Sequence, residues 1–397
     1  MTVLRTCSAL ACAMLATAAG PTLAADPDTS QRYNFSGFGT LAWSHQNDVG
    51  ADYVRPGQPK RSPFGLDSNL GLQGSASFND MFSATVQVLA RREYSDNAKA
   101  AVEWAFLKAK AGDNLSVRAG RVALPAYLMS DSRHIGYANT AIRPPVEVYG
   151  QVPLSSLNGV DVTATHTTGE VGWTLQAGYG KMKNRFESAT IEGRHTVSLA
   201  LTAETGPVTL RLGHVRTDLT ITGSPQLQSI LGGLRLTGFG ALASRLEAVD
   251  KSARFTGLGL SMDYKNVLLQ SELTRRTTDS YVSDNTGKYL MLGYRIGNFV
   301  PYASYGKLDT DSPRSDSTVP LVGPLLPLAG GVNALVNGDD QNSTTVGLRW
   351  NAFPSASIKF QFDRVRPDGG DGYLVRIQPG YRGQAVHVFS TAVDVVF

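Results

Sequence analysis

The sequence ends on "STAVDVVF", residues Ser390–Phe397, in which apolar residues alternate with polar or small ones. In an extended strand, one face of this segment carries Phe389, Thr391, Val393, Val395 and Phe397. The opposite face carries Asp394 and smaller side chains. One face therefore suits lipid or a protein core, and the other suits water. The segment alone is consistent with a soluble β-sandwich or with a membrane β-barrel.

The composition of the whole chain allows a large domain and argues against nucleic-acid binding. The 397 residues are 42% hydrophobic and carry a formal net charge of +4. All-β chains of this length often form one domain. The basic residues occur at most as short pairs such as Arg91-Arg92. Because they form no dense basic run, we expect no nucleic-acid partner.

The first residues have the features of a secretory leader. Arg5 precedes an apolar stretch from Cys7 to Ala19, and the small-residue site Thr22–Ala24 follows. We predict a signal peptide over residues 1–24, cleaved after Ala24 or Ala25, and one mature domain over residues 25–397. Both cysteines of the chain lie in this leader, which suits export through an oxidising periplasm.

No later segment has the length and composition of a transmembrane helix. The longest apolar candidate, Leu321–Val336, is short for a span and contains two prolines and paired glycines. Any membrane crossing must therefore be made by strands.

Alternation with a period of two recurs along the chain and predicts about sixteen strands. The segments are Tyr33–Trp43, Asn69–Phe78, Phe82–Arg92, Val102–Phe106, Leu115–Gly120, Val160–Thr165, Val171–Gly180, Thr196–Glu204, Val208–Arg216, Arg254–Tyr264, Val267–Arg276, Lys288–Ile296, Phe299–Lys307, Ser343–Trp350, Ile358–Arg366 and Ala385–Phe397.

The connections and the second face of the strands distinguish a barrel from a sandwich. Tight connections such as "TGE" and "TGP" alternate with generally longer ones, as in outer-membrane barrels. The second face holds Gln73, Gln87, Arg118, Asp161, Gln176, Glu204, Gln270 and Glu272, which indicates water inside. We therefore predict an all-β protein, a transmembrane antiparallel β-barrel with short periplasmic turns. Because closure leaves no free edge, the last strand pairs with the first, and Phe397 can face the lipid interface.

Three segments resemble bacterial outer-membrane porins of the sixteen-stranded, trimeric type. They are Ser116–Tyr127 ("SVRAGRVALPAY"), Phe299–Asp311 and Asp340–Val365. The resemblance implies a water-filled channel in the outer membrane for passive diffusion of small hydrophilic solutes and ions. It also implies a homotrimer in contact with outer-membrane lipid and lipopolysaccharide, and a third external loop, residues 122–158, folded inward as a constriction.

The resemblance further suggests which residues serve the pore and the assembly of the barrel. In the family, acids on the third loop face basic residues on the wall. The candidates at the constriction are Arg91, Arg118, Asp131, Arg133, Arg143 and Glu147. The candidates on the pore wall are Arg211, Arg276, Arg349 and Lys359. A terminal strand with Phe389, Val393, Val395 and Phe397 resembles the signal read by the barrel assembly machinery.

The charges of the predicted pore are nearly balanced, so we expect weak selectivity with a slight preference for anions.

For the third loop, the alternative to an inward fold is an ordinary external position. That loop carries "RPPVEVYGQ" where enteric porins have a Pro-Glu-Phe-Gly-Gly stretch. The second external loop, about Glu93 to Ala98, is short for a subunit latch. In the fifth loop, Leu227, Ile230, Leu231 and Leu234 have helical spacing.

Two other functions remain open from the sequence: a substrate-specific channel with a binding site in the lumen, and an outer-membrane enzyme or adhesin built on a barrel. The six histidines are scattered singly, without metal-ligand spacing or a nearby nucleophile motif. We therefore expect no catalytic residues, no metal and no cofactor.

Overall fold

The structure is a computed structural model that describes residues 32–53, 64–65, 67–92, 98–186, 189–369, 372–375 and 377–397. The predicted signal peptide and its cleavage site lie outside the described residues, as does most of the second external loop. Within the described residues, no helix is both long enough and apolar enough to cross a membrane.

Sixteen antiparallel strands form one closed barrel, in which each strand pairs with its neighbours in sequence. They are β1 Tyr33–Gln46, β2 Asn69–Ser77, β3 Phe82–Arg91, β4 Lys99–Lys110, β5 Leu115–Ala123, β6 Ser156–Thr168, β7 Val171–Arg185, β8 Thr190–Thr205, β9 Val208–Thr222, β10 Lys251–Tyr264, β11 Val267–Thr278, β12 Asn285–Tyr294, β13 Phe299–Thr310, β14 Gln341–Phe353, β15 Ala356–Pro367 and β16 Val386–Val396. The barrel prediction is confirmed.

The barrel closes between its first and last strands. The register runs from Phe38 opposite Val396 to Gln46 opposite Val388. Beyond it, Gly37 donates its backbone N–H to the carbonyl of Phe397 at 2.7 Å, and Phe397 donates back at 3.0 Å. The terminal residue thus completes the seam.

The outer and inner faces of the strands follow the predicted alternation. On β8, Val197, Leu199 and Leu201 are exposed on the outside, whereas Thr196 and Ser198 are buried on the inside. Apolar side chains on an exposed outer wall have a favourable environment only in lipid. The distribution is therefore the inverse of a soluble protein.

The two ends of the barrel differ in the length of their connections. Tight turns at one end use glycines with positive φ at Gly169, Gly206 and Gly297 (φ 61°, 52° and 58°), a conformation that glycine adopts without steric cost. The other end carries the longer segments 223–250 and 311–340. Short turns mark the periplasmic end of such barrels.

Helices from two external segments pack together over the mouth of the barrel. They are α2 Pro225–Leu236 and α3 Gly240–Leu246, between β9 and β10, and α4 Leu326–Val336, between β13 and β14. Leu227, Ile230 and Leu234 of α2 are buried against Ala329 and Val332 of α4. This confirms the helix predicted in the fifth loop.

The segment between β5 and β6, residues 124–155, lies inside the barrel and is called the internal loop below. It contains a 3-10 turn, Gly136–Ala138, and one short helical turn, α1 Val146–Tyr149. Its contacts with inward-facing residues on both sides of the barrel define the candidate site.

Candidate functional site

An aromatic cluster fixes the two arms of the internal loop to each other and to the wall. The rings of Tyr127 and Tyr149 stack with centroids 4.6 Å apart, and Phe255 of β10 meets Tyr127 edge-on at 4.9 Å. All three are buried. Such pairs contribute about 0.5–1.5 kcal/mol each beyond their buried area.

Glycines on the wall let the backbone of the loop approach closely. A methyl group built at Gly213 of β9 would stand 2.6 Å from the carbonyl oxygen of Ala126. One built at Gly287 of β12 would overlap the carbonyl of Glu147. Any larger residue at either position would push the loop away from the wall.

Three basic residues that the sequence assigned to the pore wall donate to carbonyl groups of the internal loop. Arg276 of β11 donates to Gln151 at 3.0 Å. Arg349 of β14 donates to the carbonyl of Asn139 at 2.9 Å. Lys359 of β15 donates to the carbonyl groups of Gly136 (2.7 Å) and Ala141 (3.2 Å). These side chains hold the loop by satisfying carbonyl groups that would otherwise lack partners.

Lys359 does not line open lumen, and its prediction as a pore-wall residue is corrected. It is buried on the inner wall, where its Nζ lies 3.0 Å from Oδ2 of Asp394 on β16. Thr40 of β1 donates to the other oxygen of that carboxylate at 2.7 Å. Lys359 is sealed because the 3-10 turn of the loop covers it.

Arg143 is also an anchor of the internal loop and not a constriction residue. Its guanidinium is buried between Asp67, 2.7 Å away on the external segment after β1, and Asp363 of β15 at 2.6 Å. It donates a further bond to Oγ of Ser390 at 2.6 Å. A buried cation with two carboxylates is fully compensated, so it adds no accessible charge to the pore.

Glu147 is wholly buried, so its prediction as a constriction residue is also corrected. Its Oε1 accepts from Nε2 of Gln341 at 2.8 Å, whereas its Oε2 has no hydrogen-bond partner among the described residues. Burial raises the pKa of this carboxyl, because the charged form is poorly solvated there.

Glu272 of β11, an inward acid that the sequence counted as a pore charge, receives three donors around the loop. It accepts the backbone N–H of Leu128 at 2.9 Å and the hydroxyl of Tyr289 at 3.1 Å. The hydroxyl of Tyr149 also donates to it. Its charge is thereby used to position the loop.

Arg118, which the sequence predicted for the constriction, pairs with an acid of the neighbouring strand. Arg118 of β5 donates from Nε to Asp161 of β6 at 2.8 Å, and its Nη2 pairs with the same carboxylate. Gln176 donates to that buried carboxylate at 2.7 Å. Asp131 is exposed on the loop. That Asp131 and Arg118 face each other across a constriction stays a prediction.

Arg91, Arg133 and Arg211 are partly exposed. Arg91 of β3 contacts Nδ1 of His134 on the loop at 3.0 Å. Arg211 of β9 has one contact, to Oγ1 of Thr202 at 3.5 Å, and its Nε and Nη2 have no partner within the described part of the chain. Both nitrogens are sealed from solvent, so they are unsatisfied buried donors and are not open to the lumen.

The outer wall carries a belt of cations that the sequence analysis did not single out. These residues occupy the outward phase toward the external ends of seven strands, β7, β9 to β13 and β15: Lys181, Arg216, Arg254, Arg275, Lys288, Lys307 and Arg364. Arg216 lies opposite Arg254 across β9 and β10, and Lys288 lies opposite Lys307 across β12 and β13. The detectable signal was a basic residue in the apolar phase of these strands.

The predicted assembly residues lie on the outer face of β16. Phe389, Val393 and Phe397 are exposed there, at 43%, 38% and 60%. Val395 shares their phase. The ring of Phe397 covers Gly37 so closely that no larger side chain could replace that glycine unless the ring moved.

This architecture defines a class of protein. A closed barrel with an apolar outer wall, a polar lumen and a loop folded inside is an outer-membrane channel. The sequence model for Gram-negative porins matches residues 11–382, and the chain belongs to this family. It is an outer-membrane protein through which solutes diffuse passively.

Solved porin structures share the fold. OmpF of Salmonella typhi, solved with daunomycin, is 13% identical with a TM-score of 0.54, covering 92% of this chain and 97% of its own. The anion-selective porin of Comamonas acidovorans is 12% identical with a TM-score of 0.51, and the match covers 92% of this chain and 99% of its own. The channel DcaP of Acinetobacter baumannii is 10% identical with a TM-score of 0.53, and the match covers 92% of this chain and 97% of its own. No curated protein matches the chain by sequence.

Proposed function

We propose that the protein is a diffusion channel with a weak preference for small anions. The observation that carries this proposal is the unequal burial of charges in the lumen. The acids Asp161, Glu272 and Asp363 are buried, at 2%, 2% and 4% exposure, in contacts that hold the wall or the loop. Arg91, Arg133 and Arg211 remain partly exposed, whereas Arg118 is neutral as a unit with Asp161. Accessible positive charge therefore exceeds accessible negative charge near the loop.

Asp131 gives the constriction a transverse field. It is an exposed acid of the internal loop, and in this proposal it stands opposite the basic residues of the wall. A narrow passage excludes part of the solvent, so such charges act with less screening than at an open surface. An anion passing through would be guided along the arginine side, and salt would weaken the effect.

The internal loop sets the size limit of the pore in this proposal. It is held from β1 through β16 by buried bonds, such as that of Arg143 to Asp363 and that of Lys359 to Asp394. A loop fixed at so many points cannot swing out without leaving charges unpaired. We therefore expect a steady conductance with a sharp solute cutoff. No catalytic step is proposed.

The protein functions as a homotrimer in the outer membrane. OmpT of Vibrio cholerae, 12% identical with a TM-score of 0.51, has been solved in a trimer form. Its fold is shared, which supports the same assembly here. The exposed outer face of β16 and its Phe397 would be recognised by the barrel assembly machinery before insertion.

The cationic belt is proposed to bind phosphate groups of lipopolysaccharide. It faces outward, above exposed apolar residues such as Leu258 and Leu290. Arginine and lysine are suited to phosphate oxygens, and the belt places them where the headgroups of the outer leaflet begin.

Two measurements on the purified protein test the channel proposal. Liposomes containing it should swell with sugars at a rate that falls smoothly with solute size. In a potassium chloride gradient, the zero-current potential should show chloride as the more permeant ion. Swelling with one solute only would favour a substrate-specific channel, and no swelling would favour a barrel with another role.

A further inference from the structure

A cavity of about 290 Å³ lies between the internal loop and the wall formed by β10–β14. It is bordered by Leu268, Val300 and Asn351, which stand near the short-turn ends of their strands. Ala138 and Thr140 of the loop cover it from the other side. The cavity therefore belongs to the periplasmic vestibule, away from Arg118 and its neighbours.

The polar side of the cavity presents a cation with one free arm. Arg349 donates from Nε to Asn351 at 2.8 Å and from Nη1 to the carbonyl of Asn139 at 2.9 Å. Its guanidinium lies over the ring of Tyr137 at 5.1 Å. Two of its nitrogens and one face are thus fixed, whereas Nη2 has no hydrogen-bond partner among the described residues. The side chain is pre-positioned to bind an anion.

A second guanidinium borders the cavity and adds no free charge. Arg295 makes two 2.6 Å bonds to the two oxygens of Asp263. Because this pair is neutral as a unit, the net charge around the cavity is that of Arg349. The complementary ligand carries a single negative charge.

The opposite side of the cavity is apolar. Leu268, Met291 and Val300 line it from three adjacent strands. Gly293 separates them, because a methyl group built there would stand 3.4 Å from Val300 and 3.5 Å from Leu268. Small ligand pockets typically combine an apolar lining with a few fixed polar groups.

We propose that this cavity binds compact organic monoanions in transit, with the carboxylate on Arg349 and an apolar group against Leu268, Met291 and Val300. The inference rests on the channel proposal and adds a solute class and a place of binding to it. A solute held there would lie below the internal loop and would impede smaller ions.

The test uses the intact channel in a planar bilayer, with chloride current as the readout and sodium benzoate as the probe on the periplasmic side. Benzoate should reduce the current in a saturable manner. Formate has the charge without the apolar group, and benzamide has the ring without the charge. At equal concentration, neither formate nor benzamide should reduce the chloride current as much as benzoate does.

Two variants separate the halves of the cavity. R349Q should raise the half-blocking concentration of benzoate about tenfold, the loss expected for one charge-assisted hydrogen bond. L268N should raise it by about threefold through lost apolar contact. R235Q removes an exposed arginine of α2, on the external side of the barrel, and should leave the half-blocking concentration unchanged.

Two outcomes would overturn the inference while leaving the channel proposal intact: a block that grows linearly with benzoate, or one that R349Q and R235Q change equally. A protein that conducts no chloride at all would contradict the channel proposal itself.

Discussion

Lys359 and Asp394 form an ion pair with Nζ and Oδ2 3.0 Å apart, on adjacent strands beneath the internal loop. Both side chains are sealed from solvent, at 0% and 1% exposure. The lysine also donates to two loop carbonyls, so this pair joins the barrel seam to the internal loop. A cation inside a channel protein here acts as a structural clamp.

Removing the lysine should therefore loosen the loop. In K359M, Asp394 is left buried without its partner, a defect that typically costs about 3–5 kcal/mol. We expect a lower temperature for loss of the folded, heat-modifiable band, together with noisier and larger single-channel currents. The double variant K359M/D394L removes both charges and should recover much of the stability. Unchanged currents in both variants would show that the loop does not depend on this clamp.

Glu147 should make stability depend on pH. Burial raises the pKa of its carboxyl, so the folded protein holds that proton more tightly than the unfolded chain. The stabilisation of the fold by the protonated Glu147 carboxyl is therefore fully present at pH values below the ordinary glutamate pKa. It is lost as the pH rises through the raised pKa. E147Q cannot ionise.

The melting temperature of E147Q should therefore rise relative to that of the parent protein as the pH increases from acid to neutral. D131N, at an exposed position of the same loop, serves as the control and should not show this trend. A constant difference between E147Q and the parent protein at all pH values would contradict the assignment.

Neutralising the wall arginines should move ion preference. In R91Q/R118Q, Asp161 loses its partner and the lumen loses two cations, so the chloride-to-potassium permeability ratio should fall by about twofold at low salt. Zero-current potentials in a salt gradient measure it. R275Q, an outer-wall arginine, is the matched control, and an equal shift in both proteins would exclude Arg91 and Arg118 from the constriction.

The helices over the external mouth should be linkable by a disulfide. A methyl group built at Gly331 of α4 stands 3.2 Å from Cγ1 of Ile230 on α2, which is within the reach of a cystine. I230C/G331C should oxidise in the folded protein and show a mobility change on a non-reducing gel. L236C/G331C is the comparison, because Leu236 is 90% exposed. Equal oxidation of both pairs would mean that the helices do not keep this packing.

Deleting Phe397 should impair insertion more than synthesis. The deletion removes both backbone bonds to Gly37 and the aromatic ring over it. Heat-modifiable protein in the outer membrane should drop severalfold while total protein stays constant. F353A, at a similarly exposed aromatic near the same end of β14, should be inserted normally. Normal insertion of the deletion variant would rule out a role for the terminal ring in assembly.

The strands were predictable because lipid outside and polar groups inside impose a two-residue period that each segment shows by itself. β4 was predicted only over Val102–Phe106 but extends from Lys99 to Lys110, since alanines and terminal lysines weaken the period. The inward loop was also predictable, from its length and its resemblance to porins.

The role of each inward charge was not predictable from alternation. Arg143 and Arg118 are both arginines of the lumen, yet the first is buried by partners 76 and 220 residues away. Phase tells which way a side chain points, whereas accessibility depends on what the internal loop covers. That covering is set by long-range contacts, such as those of Gly136 with Lys359, which no local pattern encodes.

The many buried bonds of the internal loop separate two kinds of sequence change. Positions that clamp the loop, such as Arg143 and Lys359, couple pore width to the survival of the whole barrel. Asp131, an exposed acid of the same loop, can vary without that penalty. Natural drift or engineering should therefore change the ion preference of the channel by substitutions at a few lumen-facing positions, while the width of the pore stays nearly constant.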